Sequence, residues 1–154
     1  MSIPQIGDLA PDFEGETHAH GTMSLRRLRG KPVVLYWYPK DDTTGCTIEA
    51  CNFRDDYEAL RAAGAEVIGI SCDTLGSHRA FAEKFNLPFP LLADTSGAMT
   101  RAYGVPLGVD GNEMWPKRWT FLVGRDGRIV KKWEKVDVRG HSKELLEMLR
   151  EMEK

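Results

Sequence analysis

Short apolar segments alternate with amphipathic ones along much of the chain, and this alternation constrains the fold more than any other feature. Residues 32–39, PVVLYWYP, form a β-branched and aromatic run closed by proline, which predicts a buried central strand. Apolar residues then recur at helical spacing up to Gly64, which stands where a C-terminal cap belongs. The same alternation predicts strands at 66–72 and 89–94 and helices at 77–86 and 97–104.

The later part of the chain departs from this pattern. Glycines and prolines over residues 105–116 indicate a loop, and residues 119–124 and 129–136 predict a hairpin around an Asp126-Gly127 turn. An amphipathic helix at 142–152 closes the chain, and a short β-element is expected around 13–24. Because helices that follow strands require crossovers, the prediction is an α/β fold with a mixed central sheet and helices on both faces. The length of 154 residues favours one domain spanning residues 1–154.

Charge and composition narrow the functional classes. A formal net charge of -2 gives no reason to expect nucleic acid or an anionic membrane as a partner. The longest apolar run, at 33–38, is too short to span a bilayer, and residues 1–15 lack the basic start and apolar segment of a signal peptide. A cytoplasmic, reducing location is therefore expected. There, cysteines more often serve metals or catalysis than permanent structural disulfides.

Cys46 occupies an unusual position, in the first turn of the predicted helix that follows the central strand. Open α/β sheets carry their sites at this edge, and the unpaired N–H groups and dipole of a helix start favour an anion. A thiol there is stabilised as the thiolate, which is the nucleophilic form. The alternative is a small buried apolar residue, as free cysteines often are. The polar turn before Cys46 and the polar Thr47 after it argue against burial in the core.

The other two cysteines carry weaker signals. Cys51 falls among the apolar positions of its helix and by itself indicates core packing, whereas Cys72 ends an apolar strand and is expected to be a buried structural thiol. A zinc site would need further ligands, but Cys72 and His78 match no familiar spacing, and His18 and His20 stand in a polar loop. No metal is expected.

The segment YWYPKDDTTGCTIEACNFRDDYEAL, residues 36–60, resembles the active-site segment of the peroxiredoxins, and specifically the peroxiredoxin Q group, also called bacterioferritin comigratory proteins. The family's Pro-x-x-x-Thr-x-x-Cys signature matches Pro39, Thr43 and Cys46, and the group's optional second cysteine matches Cys51. The group often has proline where Thr44 stands, a difference that removes no reactive group.

The resemblance extends over essentially the whole chain. GDLAPDF at 7–13, SHRAFAEKFNLPFPLLAD at 77–94 and RWTFLVGRDG at 118–127 are all similar to family segments, in the family's order. The last resembles the Arg-x-Thr-Phe strand of the family and points to Arg118. Without the resemblance, an arginine that opens a strand is an ordinary surface residue.

The resemblance implies a thioredoxin-like fold and a thiol peroxidase that serves antioxidant defence and redox homeostasis. Cys46 would reduce hydrogen peroxide or an organic hydroperoxide and become sulfenic acid, which Cys51 would resolve as an intramolecular disulfide. Thioredoxin, or glutaredoxin, would recycle the enzyme, with neither an organic cofactor nor a metal. The chain lacks the long C-terminal extension that swaps between subunits in some relatives, so a monomer or weak dimer is expected.

The resemblance also implies roles for residues around Cys46. Thr43 would direct its hydroxyl towards the thiolate or simply cap the helix, and Pro39 would shield the pocket or simply end the strand. Arg118 would stabilise the thiolate and the leaving oxygen. Glu49, one turn after Cys46, would hold Arg118 or be an ordinary exposed glutamate. A thiol-based redox sensor or holdase, which would keep Cys46 but need a partner surface, is the alternative; a disulfide reductase would want Cys-x-x-Cys, which is absent.

Overall fold

The computed structural model describes residues 3–152. The domain expected over residues 1–154 includes Met1, Ser2, Glu153 and Lys154, which lie outside the described residues. Nine strands are described: β1 Glu14–Glu16, β2 Thr22–Ser24, β3 Val33–Trp37, β4 Glu66–Ser71, β5 Leu91–Ala93, β6 Leu107–Asp110, β7 Glu113–Pro116, β8 Trp119–Val123 and β9 Ile129–Trp133. The helices described are α1 Thr44–Ala62, α2 Leu75–Phe85, α3 Ala98–Ala102 and α4 His141–Met152, with a 3₁₀ turn at Arg26–Leu28.

The central sheet has five strands in the order β5-β4-β3-β8-β9. β3, β4 and β5 are parallel, as their helical crossovers require, whereas β8 pairs antiparallel with both β3 and β9. β3 is central and all five of its residues are buried, which explains why its sequence is apolar throughout rather than alternating. The predicted mixed sheet is therefore confirmed.

Helices cover both faces of this sheet. α1, α2 and α4 contribute to one core cluster, which packs on Val34 and Tyr36 of β3. The opposite face, formed by Val33, Leu35 and Trp37, packs against α3 and the N-terminal segments. Since alternate residues of one strand face opposite sides, β3 supplies both clusters. The predicted α/β class with helices on both faces is confirmed.

The prediction of a loop over residues 105–116 is wrong. β6 and β7 form an antiparallel hairpin in which Leu107 is opposite Pro116, and the turn between them places Gly111 at φ 59°. Gly108 is needed for a different reason, because a Cβ there would lie 2.3 Å from the Trp115 ring. The glycines that indicated a loop serve a tight turn and a close side-chain approach within a two-stranded sheet.

The chain between β3 and α1 positions the candidate site. We call residues 38–43 the active-site loop. It follows the carboxyl end of β3, and α1 begins as Thr47 N–H donates to the Thr43 carbonyl at 2.8 Å. α1 ends at Ala62, and Gly64 at φ 92° occupies the capping position expected from the sequence. Within residues 3–152, no helix combines the length and apolar character needed to cross a membrane.

Candidate active site

Cys46 lies in the first turn of α1, and its sulfur receives a hydrogen bond from the Arg118 guanidinium. The Arg118 Nη2–Cys46 Sγ distance is 3.3 Å. Arg118 directly precedes β8, the strand that neighbours β3, and this places it across from the start of α1. Gly45 makes the approach possible, because a Cβ at this position would lie 3.1 Å from Nη2. The sequence resemblance that pointed to Arg118 is thus matched by a direct contact to the thiol.

The expectation that Cys46 stays out of the core is wrong. Its side chain is 1% exposed and belongs to the cluster beneath α1. The reason is that the first turn of α1 docks on the sheet and the Arg118 side chain covers the sulfur. Burial beside a cation differs from burial in an apolar core, because the guanidinium offsets part of the free-energy cost of removing a thiolate from water. The nucleophile interpretation is therefore compatible with the buried position.

Glu49 is buried and paired with Arg118, so its interpretation as an exposed glutamate is wrong. The Arg118 Nη1–Glu49 Oε1 distance is 2.6 Å. Burial raises the pKa of Glu49 to about 7, against the opposing effect of the Arg118 charge. Burial lowers the pKa of Arg118, but Glu49 and Cys46 outweigh it, so that pKa is raised and the guanidinium remains charged. Arg118 therefore has its two terminal nitrogens fixed, one on the carboxylate and one on the sulfur.

Thr43 and Pro39 lie in the active-site loop that leads into α1. Thr43 occupies the N-cap position of α1 but makes no side-chain capping bond, and its exposed hydroxyl donates to the Lys40 carbonyl at 2.9 Å. The capping alternative for Thr43 is therefore wrong in this conformation. Pro39 lies just beyond β3 and lines a cleft of about 310 Å³ together with Cys72 and Trp115. Pro39 thus contributes to a cleft wall as well as following a strand end.

Cys51 lies in the same continuous helix as Cys46 and is half-buried. All three cysteines are free thiols. Residues five apart on a helix have Cα atoms about 8–9 Å apart, beyond the roughly 6.8 Å that a disulfide tolerates. The conformation described is therefore incompatible with a bond between Cys46 and Cys51.

Cys72 is half-buried at the end of β4 and not fully buried as expected. It lines the same cleft as Pro39, because β4 ends at Ser71 and the chain turns outward there. Burial, with added repulsion from Asp94 and Asp73, raises the pKa of Cys72 to about 11. Its thiol is therefore protonated and unreactive near neutral pH.

A polar network behind the active-site loop was missed by the sequence analysis. Asp41 in the loop, Asp73 after β4 and His78 in α2 place potential ligand atoms within 4.8 Å of one another. Each already has protein hydrogen-bond partners: Asp41 accepts from Tyr38 and Ser77, and Asp73 accepts from Ser71 and the Asp41 amide. No sequence signal joins Asp41 to His78, because only the packing of α2 beside β3 brings them together.

A cysteine at the first turn of a helix, on the carboxyl edge of a thioredoxin-like sheet and bonded to a guanidinium, defines a thiol-based oxidoreductase. The AhpC/TSA family model matches residues 6–132. A putative peroxiredoxin Bcp of Coxiella burnetii is 46% identical over 151 residues, covering 95% of this chain and 98% of the relative. The chain belongs to the AhpC/TSA family and is a peroxiredoxin, a thiol peroxidase.

Solved structures agree with this assignment. The crystal structure of peroxidoxin BcpB from Mycobacterium tuberculosis has a TM-score of 0.88 at 32% identity, covering 97% of this chain and 98% of that one. A Xanthomonas campestris bacterioferritin comigratory protein, whose structures are described as giving insight into alkyl peroxide reduction, has a TM-score of 0.86 at 30% identity and covers 100% of both chains. The similarity at full coverage confirms the predicted thioredoxin-like peroxiredoxin fold.

Proposed function

We propose that Cys46 is the peroxidatic residue of this enzyme, acting on hydrogen peroxide and organic hydroperoxides. The Cys46 thiolate attacks the terminal oxygen of R–O–O–H, an S–O bond forms as the O–O bond breaks, and R–O⁻ leaves. After proton transfers, the products are Cys46 sulfenic acid and water or an alcohol. Sulfur supplies both electrons, so the reaction as written requires no metal or organic cofactor.

The observation that carries this proposal is the Arg118 Nη2–Cys46 Sγ contact of 3.3 Å. A cation bonded to the sulfur stabilises the attacking thiolate and faces the region where negative charge develops on the leaving oxygen. Glu49, bonded to Arg118 at 2.6 Å, fixes the direction of the guanidinium. In this proposal Arg118 acts on the reacting atoms and Glu49 positions it.

Thr43 and Pro39 complete the proposed pocket. The Thr43 hydroxyl uses its hydrogen on the Lys40 carbonyl, which leaves its oxygen able to accept a hydrogen bond from the peroxide O–H. Pro39 bounds the pocket with a rigid ring. The Xanthomonas campestris protein, whose structures concern alkyl peroxide reduction, supports organic hydroperoxides as substrates here.

We propose that Cys51 resolves the sulfenic acid. The Cys51 sulfur attacks the sulfenic sulfur, the S–O bond breaks, and water leaves as the Cys46–Cys51 disulfide forms. Because both cysteines belong to intact α1, at least residues 46–51 must unwind first.

The contacts of α1 favour an opening that ends near Asn52. The Asn52 side chain donates to the Val138 carbonyl at 2.9 Å, and the Phe53 ring stacks on Tyr36 with centroids 4.6 Å apart. Further along α1, the Ser142 hydroxyl donates to Asp56 at 2.6 Å. These hydrogen bonds and this ring contact hold the later part of α1 on β3 and α4 while the first two turns of α1 open.

A reduced dithiol protein must then return the two electrons, and we propose thioredoxin, or glutaredoxin, for this step. Its thiols reduce the Cys46–Cys51 disulfide by exchange and become a disulfide themselves. The enzyme would work in a reducing compartment such as the cytoplasm, as a monomer or weak dimer, in antioxidant defence. A redox sensor or holdase remains the alternative, and sustained turnover distinguishes the enzyme from it.

A coupled assay tests the proposal. Reduced protein is mixed with hydrogen peroxide or an alkyl hydroperoxide, thioredoxin, thioredoxin reductase and NADPH, and consumption of NADPH is followed. We expect sustained turnover that Cys46→Ser abolishes and the matched control Cys72→Ser leaves largely intact. Absence of turnover with both thioredoxin and glutaredoxin would contradict enzymatic recycling, and equal loss in the two variants would contradict the assignment of Cys46.

A further inference from the structure

The active-site loop is tied to α2 by a buried contact between Asp41 and His78. The His78 Nδ1–Asp41 Oδ2 distance is 2.7 Å, and the two side chains are 0% and 3% exposed. Asp41 also accepts from the Tyr38 hydroxyl at 2.7 Å and from the Ser77 hydroxyl at 2.8 Å. A buried side chain with three short contacts fixes the backbone that carries it.

The two ring nitrogens of His78 both face oxygen atoms. Nε2 lies 3.0 Å from the Leu92 carbonyl, which can only accept, so Nε2 must carry a hydrogen. The Tyr38 hydroxyl has a single hydrogen, which is directed at Asp41. The short Nδ1–Oδ2 contact therefore needs a proton of its own, either on the ring or on the carboxyl. Together, His78 and Asp41 hold two protons and are neutral as a pair.

Other ionisable groups surround the pair without replacing this proton. Asp73, after β4, has one carboxylate oxygen occupied by the Asp41 amide at 2.9 Å and by the Ser71 hydroxyl at 2.7 Å. His18, in the segment between β1 and β2, is close enough for its charge to interact with His78, and Tyr36 of β3 is close enough to interact with Asp41. Loss of the shared proton would leave an additional buried negative charge beside Asp73, which is strongly unfavourable.

We propose that Asp41 and His78 are a proton-sharing positioning pair that holds the active-site loop in the conformation required for the peroxide step. The loop carries Pro39 at one end and Thr43 at the other, and the Thr43 hydroxyl is itself oriented by the Lys40 carbonyl. Asp42 in the same loop has φ 61°, a backbone conformation that needs external support. The pair supplies this support from α2. It also anchors the active-site loop, which is the end against which α1 opens.

The proposal rests on the proposed peroxidatic role of Cys46 for its kinetic readout only. In His78→Leu, Asp41 loses its proton-sharing partner and must either take up a proton itself or turn towards water, which displaces the loop. The rate of the peroxide step should therefore be about tenfold below the wild-type rate.

The double variant His78→Leu/Asp41→Asn separates charge from packing. An asparagine amide can donate to Ser77 and its oxygen can accept from Tyr38, so the network closes without an ion. We expect it to restore the rate to within about threefold of wild type. The matched control is Lys84→Met, because Lys84 bonds Asp42 at 2.7 Å and joins the same loop to the same helix at an exposed position. It should change the rate by less than about twofold.

Two measurements do not depend on peroxidase activity. Hydrogen exchange at pH 8 should be faster over the active-site loop in His78→Leu than in the double variant. Nitrogen and carbon NMR of the unmodified protein should count two protons on the His78 ring and the Asp41 carboxyl together, which also decides the matter if His78→Leu does not fold. A single proton on the pair, or a rate loss in His78→Leu that Asp41→Asn does not restore, would overturn the proposal. Failure of the wild-type enzyme to reduce peroxide would refute the proposed function alone.

Discussion

Replacing Glu49 by glutamine should stabilise the reduced enzyme at alkaline pH while slowing it. The Glu49 side chain is 1% exposed, and burial raises its pKa from 4.5 to about 7 despite the Arg118 charge. The folded state therefore binds this proton more tightly than the unfolded chain does. As the pH rises from about 4.5 through 7, wild-type stability falls, because the unfolded chain releases the proton first.

The size of this effect follows from the two pKa values. Their difference of about 2.5 corresponds to about 3 kcal/mol, most of which is lost between pH 5 and pH 8. Glutamine cannot ionise, so the free energy of unfolding of Glu49→Gln relative to wild type should increase by about 2–3 kcal/mol from pH 5 to pH 8. Urea denaturation of both reduced proteins, followed by tryptophan fluorescence, measures this change.

The control is Glu58→Gln, which removes a carboxylate at an exposed position on the same helix. If the free energy of unfolding of Glu49→Gln differed from that of wild type by the same amount at pH 5 and at pH 8, the reasoning would be refuted. The neutral amide also holds Arg118 less firmly than a carboxylate, so the peroxide step should slow by about tenfold. A gain in stability with a loss of rate is the pattern expected of a buried positioning charge.

Three further variants test the site. Arg118→Met should slow the peroxide step by about 10²–10³-fold in rapid-mixing experiments, because it removes the cation from Cys46, and an unchanged rate would exclude Arg118 from the reaction. Gly45→Ala should slow the same step, because the new methyl group would lie 3.1 Å from Arg118 Nη2; a rate equal to wild type would show that the guanidinium can shift without consequence. Cys51→Ser should reduce one equivalent of peroxide and then stall, and non-reducing peptide mapping of the oxidised wild type should give a Cys46–Cys51 disulfide. A Cys46–Cys72 link would remove Cys51 from the resolving role.

Much of the fold follows from local chemistry. The apolar run at 33–37 and the helical spacing up to Gly64 depend on neighbouring residues, so strand, helix and cap were predictable. The hairpin at 107–116 was not, because its glycines and prolines also fit a loop, and only the packing of Trp115 over Gly108 distinguishes them. Local patterns define elements well when one face is apolar throughout.

The site was predictable in part only. The spacing of Pro39, Thr43 and Cys46 lies within one segment, and the resemblance reached Arg118. The burial of Glu49 depends on how α1 docks on the sheet, and spacing alone left it undecided. The Asp41–His78 contact joins residues 37 apart in sequence, and only the tertiary structure determines it.

The half-buried position of Cys72 has a consequence for the fidelity of disulfide formation. A thiol with a pKa of about 11 is ionised in only about one molecule in 10⁴ at pH 7. A sulfenic acid reacts with competing thiols in proportion to how often each thiol is ionised and how often its sulfur comes within reach of the sulfenic sulfur. The burial and the carboxylates of Asp73 and Asp94 that suppress ionisation therefore slow mispairing at Cys72. The chain can therefore retain a third thiol at the wall of the Pro39 cleft with little scrambling of the proposed Cys46–Cys51 pair.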